Sequence, residues 1–562
     1  MSTSTGLTRR GLLLAGLAPS GHGAPRISAE AKSVSARTGV VAAEPPDAVR
    51  AGAKLFEQGG NAFDAIAAAA IAACMLEPHS VDVGGYVCAG VLREAKTGRI
   101  WSLDSNSVAP AAAHERMYRT GPAGASRGLN ENEYGCSVGD DANVFGPLAV
   151  GVPGVMAGIG TLWERFGRAR WPAIVEPSLT LLDRGFPFGP AAGAVKTLEA
   201  RIRRWESSVR HLMPEGRVPA PSDVWRRRDM EKTLRRVSGE GWRDFYKGEL
   251  GRRIADYVQS AGGLLTRDDM ARFEPRLTEP YRITYRGATV CSAILANGGV
   301  SVLEFLNMLE CFDRPERDDP AHWHRVIEIL KLTWRDRLRH LGDPDFTPVP
   351  LARLLSKDYA GGRVETLRAF PAHVDTIRAR PAGESPGTIN LSAADGEGNV
   401  IAMTISHGGS FGSCMTVPGT GITLGHGMCR FDPRPGRPNS VAARKRPLNN
   451  TCPTLIELPG RWVACGMRGG RRIVSVVSLL CHRVIDWDEP VAEAVNTPRV
   501  HVEEQEPAQV TPSLPAAVTA RLREMGHSLN PAPAVGGHCN GVESLKSGGV
   551  RGGGNVWAAG VD

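Results

Sequence analysis

Between Pro46 and Met75 apolar residues return at helical spacing, and Ala65-Ile66-Ala67-Ala68-Ala69-Ala70-Ile71-Ala72-Ala73 is apolar on nearly every side. A helix with no polar face belongs in the interior. Asn61 and Asp64 stand where an N-cap and a first-turn acid belong. Short Val- and Ile-rich segments follow, and helical periodicity returns near 155–184 and 320–340. Residues 1–38 carry little structure-forming pattern and read as a leader or tail. Residues 364–387 are polar, aperiodic and end in Pro381-Ala382-Gly383-Glu384-Ser385-Pro386-Gly387, which predicts an exposed loop. From 388 to 408 two apolar runs flank Asp395-Gly396-Glu397-Gly398-Asn399, the pattern of a hairpin. Thr388 then opens a strand, a rigid place to mount a side chain. No internal repeat is visible.

Composition narrows the class. With 42% hydrophobic and 22% charged residues the chain can build an ordinary folded core, and no long polar linker divides its 562 residues. The net charge of +8 is spread over separated sites such as Arg201–Arg204, Arg226–Arg228 and Arg444–Arg446. Nucleic-acid binding needs clustered bases, so solvated surface is the expectation and nucleic acid is not an expected partner. Eleven cysteines are dispersed, without a CxxC pair, in apolar settings such as Cys74, Cys291, Cys465 and Cys481. They read as buried free thiols in a reducing compartment. Against this, Thr8-Arg9-Arg10-Gly11-Leu12-Leu13-Leu14-Ala15-Gly16-Leu17-Ala18 looks like a twin-arginine export signal. The cysteines favour a cytoplasmic protein, with export of the folded chain as the alternative. The apolar stretch is too short to span a membrane. No ligand cluster or phosphate loop is recognisable, so no metal and no organic cofactor is expected.

The Gly387-Thr388 junction carries candidate chemistry. A Thr released as a new N-terminus is a complete catalytic unit, with its hydroxyl as nucleophile and its α-amine as general base. The amine titrates near pH ~8 and can take the hydroxyl proton.

The surrounding blocks give the junction its context. They include Gly39-Val40-Val41-Ala42-Ala43-Glu44-Pro45, Gln58-Gly59-Gly60-Asn61-Ala62-Phe63-Asp64-Ala65, Glu77-Pro78-His79-Ser80 and Ala149-Val150-Gly151-Val152-Pro153-Gly154. Beyond the junction come Pro418-Gly419-Thr420-Gly421-Ile422, Arg446-Pro447-Leu448, Pro453-Thr454, Gly469-Gly470 and Asn496-Thr497-Pro498-Arg499. In order and spacing, from about Gly39 to the C-terminus, the chain resembles the γ-glutamyltransferase (γ-glutamyl transpeptidase) family of N-terminal-nucleophile hydrolases. The resemblance implies an α+β fold, a four-layer αββα sandwich. It implies a large subunit over 39–387 and a small catalytic subunit over 388–562, intertwined as a heterodimer after self-cleavage between Gly387 and Thr388. It assigns Thr388 as nucleophile, Ser406 as its hydroxyl partner, and Gly469 and Gly470 as the oxyanion hole.

The chain departs from the family where the γ-glutamyl group is held. Asn106 stands at the position of the Arg for the substrate α-carboxylate. Gly427 and Arg430 replace the amide and acid that take the α-amine, Gly408 replaces a further Asn, and Asn449-Asn450 replaces a Ser pair. Arg468 precedes Gly469 where the family often has Pro. An ammonium facing Arg430 would be repelled, whereas an Arg can take a carboxylate in a fork. The expected substrate is a small molecule with an anionic acyl group, ending in a carboxylate or α-keto acid. Asn106, Arg430, Asn449, Asn450 and Arg468 are the candidate substrate-binding residues. In lacking the glutamate pocket the chain is similar to family members of bacterial antibiotic pathways, which are implicated in hydrolysing a C–C bond. Two alternatives stay open: an ordinary γ-glutamyl transferase with relocated ligands, and a catalytically silent scaffold.

Overall fold

The computed structural model describes residues 27–122, 134–374 and 387–562. Thirteen strands join in one antiparallel sheet. The first seven are β1 (Ile27–Ala36), β2 (Gly39–Ala43), β3 (Val87–Arg93), β4 (Ile100–Asn106), β5 (Arg276–Thr278), β6 (Tyr281–Tyr285) and β7 (Ala288–Ser292). The remainder are β8 (Thr388–Asp395), β9 (Val400–Ser406), β10 (Thr454–Leu458), β11 (Arg461–Met467), β12 (Cys539–Leu545) and β13 (Val550–Val561). Their order is β6-β7-β10-β11-β12-β13-β2-β8-β9-β3-β4-β5, with β1 on β13. Segments from before and after residue 387 therefore alternate. β2 lies between β13 and β8, β9 pairs with β3, and β7 pairs with β10. Breaking the 387–388 bond would leave these ladders closed.

The helices used below are α1 (Pro46–Glu57), α2 (Ala62–Leu76), α3 (Val155–Phe166), α4 (Trp171–Arg184), α5 (Gly299–Leu309), α6 (Pro320–His340), α7 (Arg472–Asp486) and α8 (Ala516–Glu524). Alternation along the strands makes three apolar layers. Ile389, Leu391 and Ala393 of β8 and Ile401, Met403 and Ile405 of β9 pack against the alanine-rich α2. Their neighbours Ala394, Val400 and Ala402 face Leu455, Ala464 and Val542 across a core between two strand faces. Val290, Ile456, Val463 and Cys465 point outward onto α5, α6 and α7. The order is helices, strands, strands, helices. With both faces covered, β8 and β9 are buried along their whole length.

Local chemistry fixes the entry to this stack. The Asn61 side chain accepts from the amides of Phe63 and Asp64, and Asp64 accepts from the Asn61 amide, a reciprocal cap on α2. The hairpin turn is tied to the same helix end, because Asp395 Oδ2 accepts from the Ala62 amide at 2.9 Å.

One expectation from the sequence is corrected. Part of the stretch read as a leader or tail is the strand β1, which pairs with β13. Its run of small and polar residues gives little β signal, and partner strand rather than propensity makes it extended. Thr8–Ala18 and residues 375–386 lie outside the described residues. Among the described residues no helix is long and apolar enough to cross a membrane, and all eleven cysteines are free, with every one but Cys311 buried.

Candidate active site

β8 and β9 pair with Thr388 opposite Ser406. Ser406 pairs in turn with Val87 of β3, and Val87 with Asn106 of β4. Residues in one antiparallel row share a face, so Thr388, Ser406 and Asn106 project to the same side. Three strand spacings put Asn106 about 14 Å from Thr388.

The hydroxyl of Thr388 lies 2.9 Å from that of Ser406. Ser406 Oγ donates to the Gly387 carbonyl at 2.6 Å and accepts from the Gly408 amide at 2.9 Å. The single Ser406 proton is committed to Gly387, so the Thr388 hydroxyl must donate to Ser406. A directed chain results, running from Thr388 O–H through Ser406 O–H to the Gly387 carbonyl. Two backbone donors converge on that same carbonyl, His407 N–H at 2.9 Å and Gly408 N–H at 3.3 Å. Three donors on one peptide oxygen polarise the bond that precedes Thr388.

Glycine at 387 is a steric requirement. Its φ is +156°, and a Cβ there would fall 2.6 Å from the backbone of Gly409. Gly408 is fixed for a related reason: a Cβ would stand 2.4 Å from the His426 ring. The amide side chain expected at this position in the family is therefore incompatible with His426 as placed.

Gly469 and Gly470 follow β11 and precede α7, with φ of +143° and +61°. Gly466, near the end of β11, packs on Asn390, near the start of β8. The glycine pair thus lies at the end of the stack from which Thr388 emerges. Below it a buried amide network ties the two strand faces. Asn390 Nδ2 donates to Asn540 Oδ1 at 2.9 Å, Asn540 Nδ2 donates to the Asn390 carbonyl at 2.8 Å, and Thr404 Oγ1 donates to Asn390 Oδ1 at 2.8 Å.

The two arginines singled out from sequence have different surroundings. Arg430 is buried, donates from Nη2 to the Gly408 carbonyl at 2.8 Å, and lies over the Tyr86 ring. It is one residue removed from the amide that holds the Gly387 carbonyl. Arg468 is clamped by Glu44 at 2.9 Å and Glu77 at 3.4 Å, and His538 bonds the other oxygen of Glu44. Its guanidinium is engaged by protein carboxylates.

Asn106 Nδ2 donates to the Pro447 carbonyl at 2.7 Å, and its Oδ1 is buried without a hydrogen-bond partner among the described residues. Asn449 donates to Asn297 at 2.8 Å and accepts from Thr451, and Asn450 accepts from Arg337 at 2.8 Å. These two amides are occupied in holding their own loop. Asn297 donates to Asp104, which also accepts from the Asn106 amide, so that loop and the end of β4 form one polar cluster.

Sequence reasoning missed three buried histidines around the junction. Burial lowers His407 and His426 to about 3 and His79 to about 4, with cationic neighbours adding to the effect. For His426 the neighbour is Arg430, and for His79 it is Arg468. All three are neutral at neutral pH. The unfolded chain takes up these protons near pH ~6.5 and the folded chain does not, so stability rises with pH through this window. It is full above pH ~6.5 and falls toward the folded pKa values, by about 2 kcal/mol per histidine at about pH 5. Thermal melts between about pH 7 and 4.5 are expected to show a falling Tm, with a shallower dependence in His407→Gln.

The family model described as Gamma-glutamyltranspeptidase matches residues 48–562. The Acylase ACY 1 proenzyme of Pseudomonas sp. (strain SE83) is 31% identical over 533 residues, 92% of each chain. The glutathione hydrolase proenzyme of Escherichia coli (strain K12) is 29% identical over 496 residues, 83% of this chain and 81% of that one. The solved cephalosporin acylase from Bacillus halodurans superposes with a TM-score of 0.80 at 25% identity, covering 95% of this chain and 97% of that one.

Proposed function

The chain belongs to the gamma-glutamyltranspeptidase family, and from that premise we propose a self-cleaving acyl hydrolase whose acyl group is not γ-glutamyl. The observation that carries this reading is the hydrogen-bond chain from Thr388 through Ser406 to the Gly387 carbonyl. It joins the attacking hydroxyl to the oxygen of the bond it would break.

Thr388 Oγ attacks the Gly387 carbonyl carbon. The charge on oxygen is taken by Ser406 O–H and the amides of His407 and Gly408. The Thr388 hydroxyl proton passes to the departing nitrogen as the C–N bond breaks, leaving an ester on Thr388 and a free α-amine, and water hydrolyses the ester to a Gly387 carboxylate and restores the Thr388 hydroxyl. The amine then takes the hydroxyl proton, and Thr388 Oγ attacks the substrate carbonyl. The Gly469 and Gly470 amides face the second oxyanion. The leaving group departs with a proton, and water releases the acid. The proenzyme names of the relatives support the first stage for those proteins, and the interleaved ladders would hold the two pieces as a heterodimer.

For the acyl group, Arg430 supplies a buried cation beside the reacting carbonyl where a γ-glutamyl ammonium would have to lie. An acyl chain that ends in a carboxylate or α-keto acid suits it, and an acylase among the relatives supports an amide as the bond cut. An oxalyl-releasing C–C cleavage uses the same nucleophile and oxyanion donors. The γ-glutamyl alternative has to place an ammonium against Arg430. A silent scaffold leaves the directed hydroxyl chain without a use.

Ser406→Ala removes one of three donors to the scissile carbonyl and the acceptor for the Thr388 hydroxyl. Self-cleavage is expected to slow by about 100- to 1,000-fold, read as precursor remaining on a denaturing gel over time. Ser406→Thr keeps the hydroxyl and is expected to cleave. Normal processing of Ser406→Ala would remove the relay.

A further inference from the structure

Three imidazoles and a carboxylate meet far from Thr388 in sequence. His324 and Glu328 sit one turn apart on α6, His373 follows near the end of the described segment before the junction, and His527 follows α8. One ligand atom from each of the four lies within 4.8 Å of all the others. The ring centroids of His324, His373 and His527 are 5.0, 5.0 and 4.8 Å apart, with steep mutual tilts. Three imidazoles on a tetrahedral ion at a metal–nitrogen distance of about 2.0 Å place their centroids about 5 Å apart.

The hydrogen bonds say which nitrogens are bare. His324 Nε2 lies 3.0 Å from the Ala372 carbonyl, and His373 Nε2 lies 2.6 Å from the Met525 carbonyl. A carbonyl only accepts, so both Nε2 atoms carry hydrogen, and in a neutral ring each Nδ1 is a lone pair. His527 Nδ1 lies 2.7 Å from Glu506 Oε1 and donates to it, which leaves Nε2 bare. His324 Nδ1 then faces His527 Nε2 at 2.8 Å, and His373 Nδ1 faces Glu328 Oε1 at 3.0 Å. Acceptors face acceptors in both pairs. A cation among them resolves both contacts, and each ring already donates its other N–H to a carbonyl or carboxylate, as metal-bound histidines do.

We infer that His324, His373, His527 and Glu328 bind a divalent transition-metal ion of the zinc class. Glu328 Oε2 is oriented by the Val374 amide at 2.7 Å, and Lys331 bridges Glu328 and Glu506 at 2.7 and 2.6 Å. A dication with Lys331 and the two carboxylates leaves one positive charge in excess. The partly exposed His373 ring gives an entry path. His324, Glu328 and His373 precede the junction and His527 and Glu506 follow it, so the ion ties the two segments together. That tie between separate chains rests on the self-cleavage reading, and metal binding does not.

Elemental analysis of the purified full chain is expected to find one zinc ion per chain after incubation with Zn²⁺ and desalting. Co²⁺ in its place should give visible ligand-field bands of tetrahedral intensity. Glu506→Gln should weaken Zn²⁺ binding by about 10- to 100-fold, and the partly exposed His373→Ala by at least as much, with native circular dichroism. Thr388→Ala keeps all four ligands and should take the ion equally, so a failure of cleavage is read separately from a failure of binding. Absence of stoichiometric Zn²⁺ or Co²⁺ in a natively folded chain would overturn the site. Equal uptake by His373→Ala would do the same, because it would mark an adventitious ion only.

Discussion

Thr388→Ala is expected to stay a single polypeptide and to lose turnover by on the order of 10⁶-fold, the size seen when a hydrolase loses its nucleophile. The loss is this large because one side chain serves twice. On the proposed mechanism its hydroxyl opens the Gly387 peptide, and only then does its own nitrogen become an amine that can act as base. Thr388→Val separates chemistry from folding. It keeps the β-branched shape of a buried strand residue and loses one hydrogen bond to Ser406, a cost of about 1 kcal/mol. It should therefore melt within a few degrees of the parent chain, uncut and inactive. Thr388→Ser should cleave and turn over at a reduced rate. A denaturing gel and a turnover assay read all three, and a cut, active Thr388→Val would end the account.

The second large effect concerns the acyl group. A glutaryl anilide and a γ-glutamyl anilide differ by one α-ammonium. Beside the buried guanidinium of Arg430 that ammonium would be repelled, whereas the carboxylate common to both compounds would be attracted. The γ-glutamyl compound should show a kcat/KM at least about 100-fold below the glutaryl one, about 2.7 kcal/mol at the transition state. Arg430→Gln should raise KM for the glutaryl compound by about 10-fold or more and narrow the ratio between the two. Because Arg430 also braces the Gly408 carbonyl, cleavage of the variant is checked first, so that a lost acyl contact is not confused with poor maturation. Normal turnover of the γ-glutamyl anilide, or an unchanged KM in Arg430→Gln, would remove this assignment.

Local pattern carried the parts of the fold that depend on near neighbours. The apolar runs on either side of the turn at 395–399 mark β8 and β9, and the Asn61-Asp64 spacing marks the cap of α2, because those signals are local turn chemistry and local hydrogen bonds. β1 was illegible for the opposite reason, since it is extended only because β13 lies beside it. At the site, the resemblance supplied Thr388 and Ser406 as partners. It did not show that the Ser406 proton points to Gly387, which needs the hairpin register and the turn at Gly408. Arg468 reads from the sequence as a candidate substrate-binding cation, and in the fold Glu44 and Glu77, from hundreds of residues upstream, hold it. The histidine cluster offered one local cue, the one-turn spacing of His324 and Glu328, while His373 and His527 arrive by tertiary folding alone.

Intact mass and N-terminal analysis of the protein after brief exposure to a glutaryl ester tests the central claim most directly. The account predicts two chains, one of them beginning at Thr388, with the acyl mass carried transiently on Thr388. A fully active protein that remains one unbroken chain, or an acyl group trapped on any other residue, would contradict it.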